Sequence, residues 1–278
     1  MRIDAHQHFW HYSAAEYDWI DDSLAALRRD FLPAELAPLL VANGIDGTVA
    51  VQARQSLAET EWLLELATLH PTIKGVVGWL PLDQLGAGIS PVAERFAGHP
   101  QFKGVRHVLQ AESETYFERP GFNTALREIA ARGLTYDLLV RAAQLPAALP
   151  WLDRHPRLQV VVDHLAKPVA QGAPPPEWRR LIGELARRDH VFCKFSGLVT
   201  EVPGGRWTPE LLAPYFVVVL EAFGPDRLMF GSDWPVCLVA TDYARWAGFV
   251  DACIAPLTTT ERAAILGGTA TRVYRLQP

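Results

Sequence analysis

The chain opens Met1-Arg-Ile-Asp-Ala-His-Gln-His-Phe-Trp10, and this stretch separates two α/β architectures. Residues Arg2–His8 read as a short strand. An open, doubly wound sheet that binds a dinucleotide places a glycine-rich turn after its first strand. Here that position is His6-Gln-His8. Residues i and i+2 of a strand share a face, so the two imidazoles leave the strand together. They form either half a metal site or a pair of donors for an anionic oxygen. The alternative is a pair of partly buried, hydrogen-bonded core histidines.

Working outward, seven further β-branched or aromatic runs follow, at Thr48–Ala53, Gly75–Pro81, Gly104–Leu109, Thr135–Val140, Gln159–His164, Val191–Ser196 and Leu228–Asp233. Segments with helical apolar spacing lie between them: Ala34–Ala42, Leu57–Leu69, Pro91–Ala97, Thr124–Ala131, Leu145–Leu152, Trp178–Arg187 and Leu211–Phe223, with Tyr243–Cys253 and Glu261–Tyr274 closing the chain. Strands alternating with helices imply βαβ units and a parallel sheet. Eight such units in 278 residues predict an α/β fold of the (β/α)8 TIM barrel type, with the doubly wound sheet as second choice. The densest breaker stretch, Gly172-Ala-Pro-Pro-Pro176, reads as a loop before a helix, so residues 1–278 are expected to form a single domain.

The net charge of −5 excludes a basic nucleic-acid footprint or a polybasic membrane patch. No apolar run approaches the length of a membrane span. Three cysteines, Cys193, Cys237 and Cys253, show no CxxC spacing, which suits a cytoplasmic protein, and Cys193 and Cys237 read as packing residues.

In such a barrel the reactive groups gather at the C-terminal strand ends, and the polar residues here do so. After His6 and His8 come Gln52 and Arg54, then Trp79, then Arg106 and His107, then His164 with Lys167 beyond it, then Lys194 and Ser196, and finally Asp233 before Trp234. A carboxylate ending an apolar strand is costly to bury unless paired. Asp233 is therefore a candidate base, with a helix or loop cap as the plain alternative. His164 is a second candidate, or else a core histidine bonded to a carbonyl. Arg106 and His107 are adjacent and should point to opposite sides of their strand. His70, His99, His155 and His190 sit near expected helix C-termini and read as solvated helix ends.

Taken in order, Asp4-Ala-His-Gln-His-Phe-Trp10, Gly104-Val-Arg-His107, Asp163-His-Leu-Ala-Lys-Pro168, Cys193-Lys-Phe-Ser-Gly197, Met229-Phe-Gly-Ser-Asp-Trp-Pro235 and Gly267-Gly-Thr-Ala-Thr-Arg-Val-Tyr274 resemble the amidohydrolase superfamily across essentially the whole chain. They are most similar to its family 2 lactonase branch, and within that to sugar-acid lactonases of the L-fuconolactonase type. The resemblance implies a distorted barrel and hydrolysis of a sugar lactone by activated water in sugar catabolism. Metal-dependent decarboxylases and aromatic-pathway lactonases share the fold. Strand four offers no lysine at its end and strand five no histidine, so the superfamily's two-metal centre is not expected. Two states stay open: one divalent ion, zinc in type, held by His6, His8, Asp233 and His164, or no metal at all. No organic cofactor is expected.

On this reading Asp233 takes a proton from the attacking water. His6, His8 and a strand-four group such as His107 hold the developing oxyanion, and Asp233 or His164 returns a proton to the ring oxygen. Gln52, Arg54, Arg106, Lys194 and the aromatic rim of Trp10, Trp79 and Trp234 hold the substrate. A catalytically silent barrel that binds a sugar acid is the reading from a different class.

Overall fold

The computed structural model describes residues 1–83 and 90–277. Eight parallel strands run in chain order around one sheet: β1 Ile3–Gln7, β2 Gly47–Val51, β3 Ile73–Gly78, β4 Phe102–His107, β5 Thr135–Leu138, β6 Gln159–Val162, β7 Val191–Phe195 and β8 Leu228–Phe230. The helices between them are α1 Pro33–Ala42, α2 Leu57–Leu69, α3 Ser90–Ala97, α4 Pro120–Ala131, α5 Leu145–Asp153, α6 Pro176–Ala186 and α7 Pro209–Phe223, and α8 Tyr243–Ile254 follows β8. The ring closes past the strand ends, where His8 N donates to Trp234 O at 2.7 Å and Asp233 N donates to His6 O at 2.8 Å. The expected (β/α)8 barrel is therefore present, each strand overlapping its sequence run.

Period two divides the strand residues between two cores. Val49, Val51, Val77, Val161, Phe192 and Met229 pack inside the barrel with Ile3 and Ala5. Ala50, Val76, Val105, Tyr136, Leu138, Val160, Val162, Cys193 and Phe195 face the helices. On β1 strict alternation fails. The register slips between Asp4 and Gln7, which lets His6 turn inward although Ala5 already does. The bulge re-aims the histidine pair at the mouth, a common use of bulges beside functional sites.

Two expectations are corrected. The closing helix over Glu261–Tyr274 is broken into α9 Thr259–Ala263, a π-turn at Ala264–Gly268 and α10 Thr269–Val273. A Cβ on Gly267 would stand 2.2 Å from Met1 O, so the turn bends where the chain crosses the N-terminus. His155 is not a solvated helix end: it is buried, packs on Trp151, and its Nε2 lies 2.7 Å from Asn123 Oδ1.

Candidate active site

Above the apolar layer the barrel interior turns polar. Asp137 of β5 and Lys194 of β7 point inward and form a short ion pair, and Tyr274 OH donates to Asp137 from below. Lys194 Nζ also lies 3.0 Å from Asp163 Oδ1 and 3.1 Å from His6 Nδ1. Lys194, Asp137 and Asp163 are completely buried. Burial pushes the Asp163 carboxyl up, but Lys194, His6 and Arg106 outweigh it and hold it well below the usual carboxylate range.

The next layer opens to a cavity of about 370 Å³ whose floor includes His8, Arg106, His164 and Asp233. Asp233 Oδ1 is the point of convergence. It lies 3.3 Å from His8 Nε2, 3.7 Å from His6 Nε2 and 4.0 Å from His164 Nε2. Burial raises the Asp233 carboxyl, but the imidazoles around it prevail and keep it ionised at neutral pH. Burial lowers His164 to about 4, partly offset by Asp233 and Asp163. Burial and Lys194 likewise hold His6 well below the usual histidine range. The floor is thus one carboxylate beside neutral His6 and His164. Arg106 adds a fixed cation. Its guanidinium holds Asp163 Oδ2 at 3.1 Å, donates to Gln52 O and passes 3.4 Å from His6 Nε2.

The local backbone explains why these side chains converge. His164, Leu165, Ala166 and Lys167 form a left-handed turn with φ between 49° and 58°, and Asp233 sits at φ 58°. No glycine is among them, and L-residues held there store strain of the kind found at functional sites. The turn swings the His164 ring across Gly197, where a Cβ would stand 2.3 Å from Nδ1. Nδ1 is 2.8 Å from Ser196 Oγ. His8 is fixed from behind. Its Nδ1 donates to Val51 O at 2.8 Å, which turns Nε2 toward His6 and Asp233.

These donors fit a metal ion. His6 Nε2 and His8 Nε2 are 3.1 Å apart, and with Asp233 Oδ1 they make a triangle of 3.1, 3.3 and 3.7 Å. A tetrahedral zinc with bonds of about 2.0–2.1 Å has ligand–ligand edges near 3.3 Å. His6, Asp163 and His164 form a second, overlapping group.

The cavity gathers only some of the expected residues. His8, His164, Asp233, Arg106 and Arg54 line it, and His6 stands beneath them. His107 does not join them. Arg106 takes the inward position, so His107 faces the helices, stacked on Tyr116, accepting from Trp79 Nε1 at 3.3 Å and 3.1 Å from Glu112. That contact also takes Trp79 away from the cavity. Trp10 and Trp234 are buried against Phe31 and form no rim. Gln52 is completely buried, its Nε2 donating to Arg106 O at 3.4 Å. Lys194 lies sealed under His6. The aromatic ring at the mouth is Trp19, beside Glu16 and Asp18, all from a loop in which no periodicity marks them.

A parallel barrel with a carboxylate, three imidazoles and an arginine at its C-terminal mouth defines a hydrolase-type site. The chain belongs to the amidohydrolase family, whose model matches residues 3–276. It is 40% identical to an L-fucono-1,5-lactonase of Burkholderia multivorans and 37% identical to one of Burkholderia ambifaria, in each case over 99% of this chain and 96% of the relative. A crystal structure of an amidohydrolase from Burkholderia multivorans with bound zinc superposes with a TM-score of 0.94 at 40% identity over the full length of both chains. A 5-carboxyvanillate decarboxylase from Sphingomonas paucimobilis shares the fold, with a TM-score of 0.71 at 16% identity.

Proposed function

We propose that this enzyme opens the ring ester of a sugar lactone, L-fuconolactone or a closely related L-aldonolactone, to give the sugar acid. The convergence of His6, His8 and His164 on Asp233 at the floor of a sugar-sized cavity carries the reading, and the identity to two L-fucono-1,5-lactonases supports it. Asp233, ionised and facing the cavity, takes a proton from the water that attacks the carbonyl. The His6 and His8 side of the floor faces the oxygen on which negative charge develops. The C–O bond to the ring oxygen then breaks, and Asp233 or His164 delivers the proton to the departing alkoxide. Lactone and water become a hydroxy acid, which ionises to the carboxylate. A divalent ion held by His6, His8 and Asp233, with His164 adjoining, would add positive charge at the carbonyl oxygen. Zinc is the candidate by donor type. The three cysteines are unpaired, which suits a cytoplasmic setting.

The test is a pH-indicator assay on L-fucono-, L-rhamnono-, L-galactono- and D-arabinonolactone, run on chelator-treated and untreated enzyme. Turnover that survives chelation supports a reaction carried by Asp233 and the histidines. Turnover lost and restored by zinc makes His6, His8 and Asp233 ligands. Silence on every lactone in both states rejects the reading in favour of a decarboxylase or a silent barrel.

A further inference from the structure

Among the described residues, three cations line the cavity, and each is already matched by a carboxylate. Arg106 holds Asp163. Arg54 is ion-paired with Glu16. Lys167 Nζ lies 3.0 Å from Glu201 Oε1, both side chains largely buried. Two more carboxylates, Asp18 and Asp233, line the same space. Two of the three pairs also tie neighbouring loops together. Arg54 follows β2 and meets Glu16 from the loop after β1, while Lys167 follows β6 and meets Glu201 from the loop after β7.

An arginine or lysine whose charge is spent on a neighbouring carboxylate offers little to a second anion, and carboxylates brought close together in a half-buried site repel. We infer that Glu16 and Glu201 are specificity residues that keep the loops around the mouth free of uncompensated positive charge. The site then admits an uncharged ring ester and disfavours any ligand carrying a carboxylate, including the sugar acid it makes. This rests on the sugar-lactone reading and deepens it. Rejection of charged ligands is assigned to two loop carboxylates, and the charge created by hydrolysis becomes the force that drives product out past Asp18 and Asp233. A barrel serving a carboxylated substrate would instead need at least one such cation unpaired.

The experiment compares binding of an aldonolactam, the uncharged and hydrolysis-resistant counterpart of the lactone, with that of the matching aldonate. Titration calorimetry on the wild-type chain and on Glu16→Gln, Glu201→Gln and the double variant gives both affinities. Product inhibition is measured in parallel. The wild type should bind the lactam at least about tenfold tighter than the aldonate. Each Gln variant should improve aldonate affinity by about tenfold and the double variant by more, with a smaller change for the lactam. Glu201→Asp, which keeps the charge, should restore the wild-type preference. Glu16 is half-exposed, so its variant reports even if loss of the more buried Glu201 impairs folding. Equal wild-type affinity for lactam and aldonate, or an unchanged ratio in folded Gln variants, overturns the inference while leaving lactone turnover intact. Absence of both turnover and lactam binding overturns the sugar-lactone reading itself.

Discussion

Two ionisable layers lie one above the other inside this barrel, and they are built differently. The lower one, Asp137, Lys194, Tyr274 and Asp163, is sealed from solvent, and its charges are paired with one another. Asp137 and Lys194 occupy regular strand positions. The upper one, His8, His164, Asp233 and Arg106, faces a cavity. There His164 and Asp233 sit just past their strands on strained, positive-φ backbone. Ionisable residues alone therefore do not mark a reactive site in such a fold. What marks it is an ionised group with an open side, held by backbone that a stable core would not otherwise adopt.

Substitutions should separate the two layers, beginning with the open one. Asp233→Asn should fold normally and lose on the order of 10³-fold or more in kcat, since the base is gone while its shape remains. Stopped assays together with a thermal melt check both halves of that statement. The sealed layer should answer in stability. Lys194→Met strands Asp137 in a dry interior, leaves Asp163 with Arg106 as its cation, and should cost about 3–5 kcal/mol by denaturant titration. If Lys194→Met were instead to keep full stability and lose only turnover, the lower layer would be part of the working site and the contrast would fail.

The third expectation concerns pH. His164 has a native pKa near 4 because burial disfavours its charged form. The unfolded chain binds a proton near the ordinary histidine value, about 6.5. Between those values the unfolded state holds more protons, so stability falls as pH falls through this window, by up to about 3 kcal/mol from this residue. His164→Asn should flatten that part of the stability–pH curve. In the wild type, kcat/KM should hold down to near pH 5 and decline toward pH 4.

The sequence made one layer easy to see and blurred the other. Eight strand runs were legible because period two and the strand-helix alternation are dictated by burial on both faces of a parallel sheet. His6, His8, His164, Asp233 and Arg106 were legible because the C-terminal strand end is the mouth in every such barrel. Depth along the strand was not legible. Lys194 was expected to reach substrate, yet it lies one layer too low. Trp10, Trp79 and Trp234 were expected at the rim, yet the first and last pack beneath it and Trp79 turns to His107. A single sequence gives the face on which a residue lies but not whether the next loop covers it. Glu16, Asp18 and Trp19 carried no periodic signal, because a loop laid over a mouth is shaped by tertiary contacts alone.

His107 sharpens the contrast from outside the barrel. It holds Trp79 and Glu112 against Tyr116 and never meets the cavity. His107→Gln should cost about 1–2 kcal/mol of stability through its hydrogen bonds and leave kcat within about threefold. A loss comparable to that of Asp233→Asn would return His107 to the reaction.

The smallest expected effect tests the strain itself. Ala166 is completely buried within the left-handed turn, at φ 58°. An alanine there is disfavoured by roughly 1–2 kcal/mol relative to right-handed backbone, whereas glycine adopts that conformation freely. Glycine costs unfolded-state entropy of about 0.5–1 kcal/mol and loses one buried methyl. Ala166→Gly should therefore be near neutral or slightly stabilising, where the same change in one of the barrel's helices would destabilise by up to about 1 kcal/mol. His164 should keep its place, because Gly197 and Ser196 hold the ring from the other side. A melt that rises or stays level with unchanged kcat would show that strain at the mouth is a cost the fold carries to aim the imidazole. A clear drop in stability would mean the turn is held by its side-chain packing, and that the backbone is not where the two layers differ.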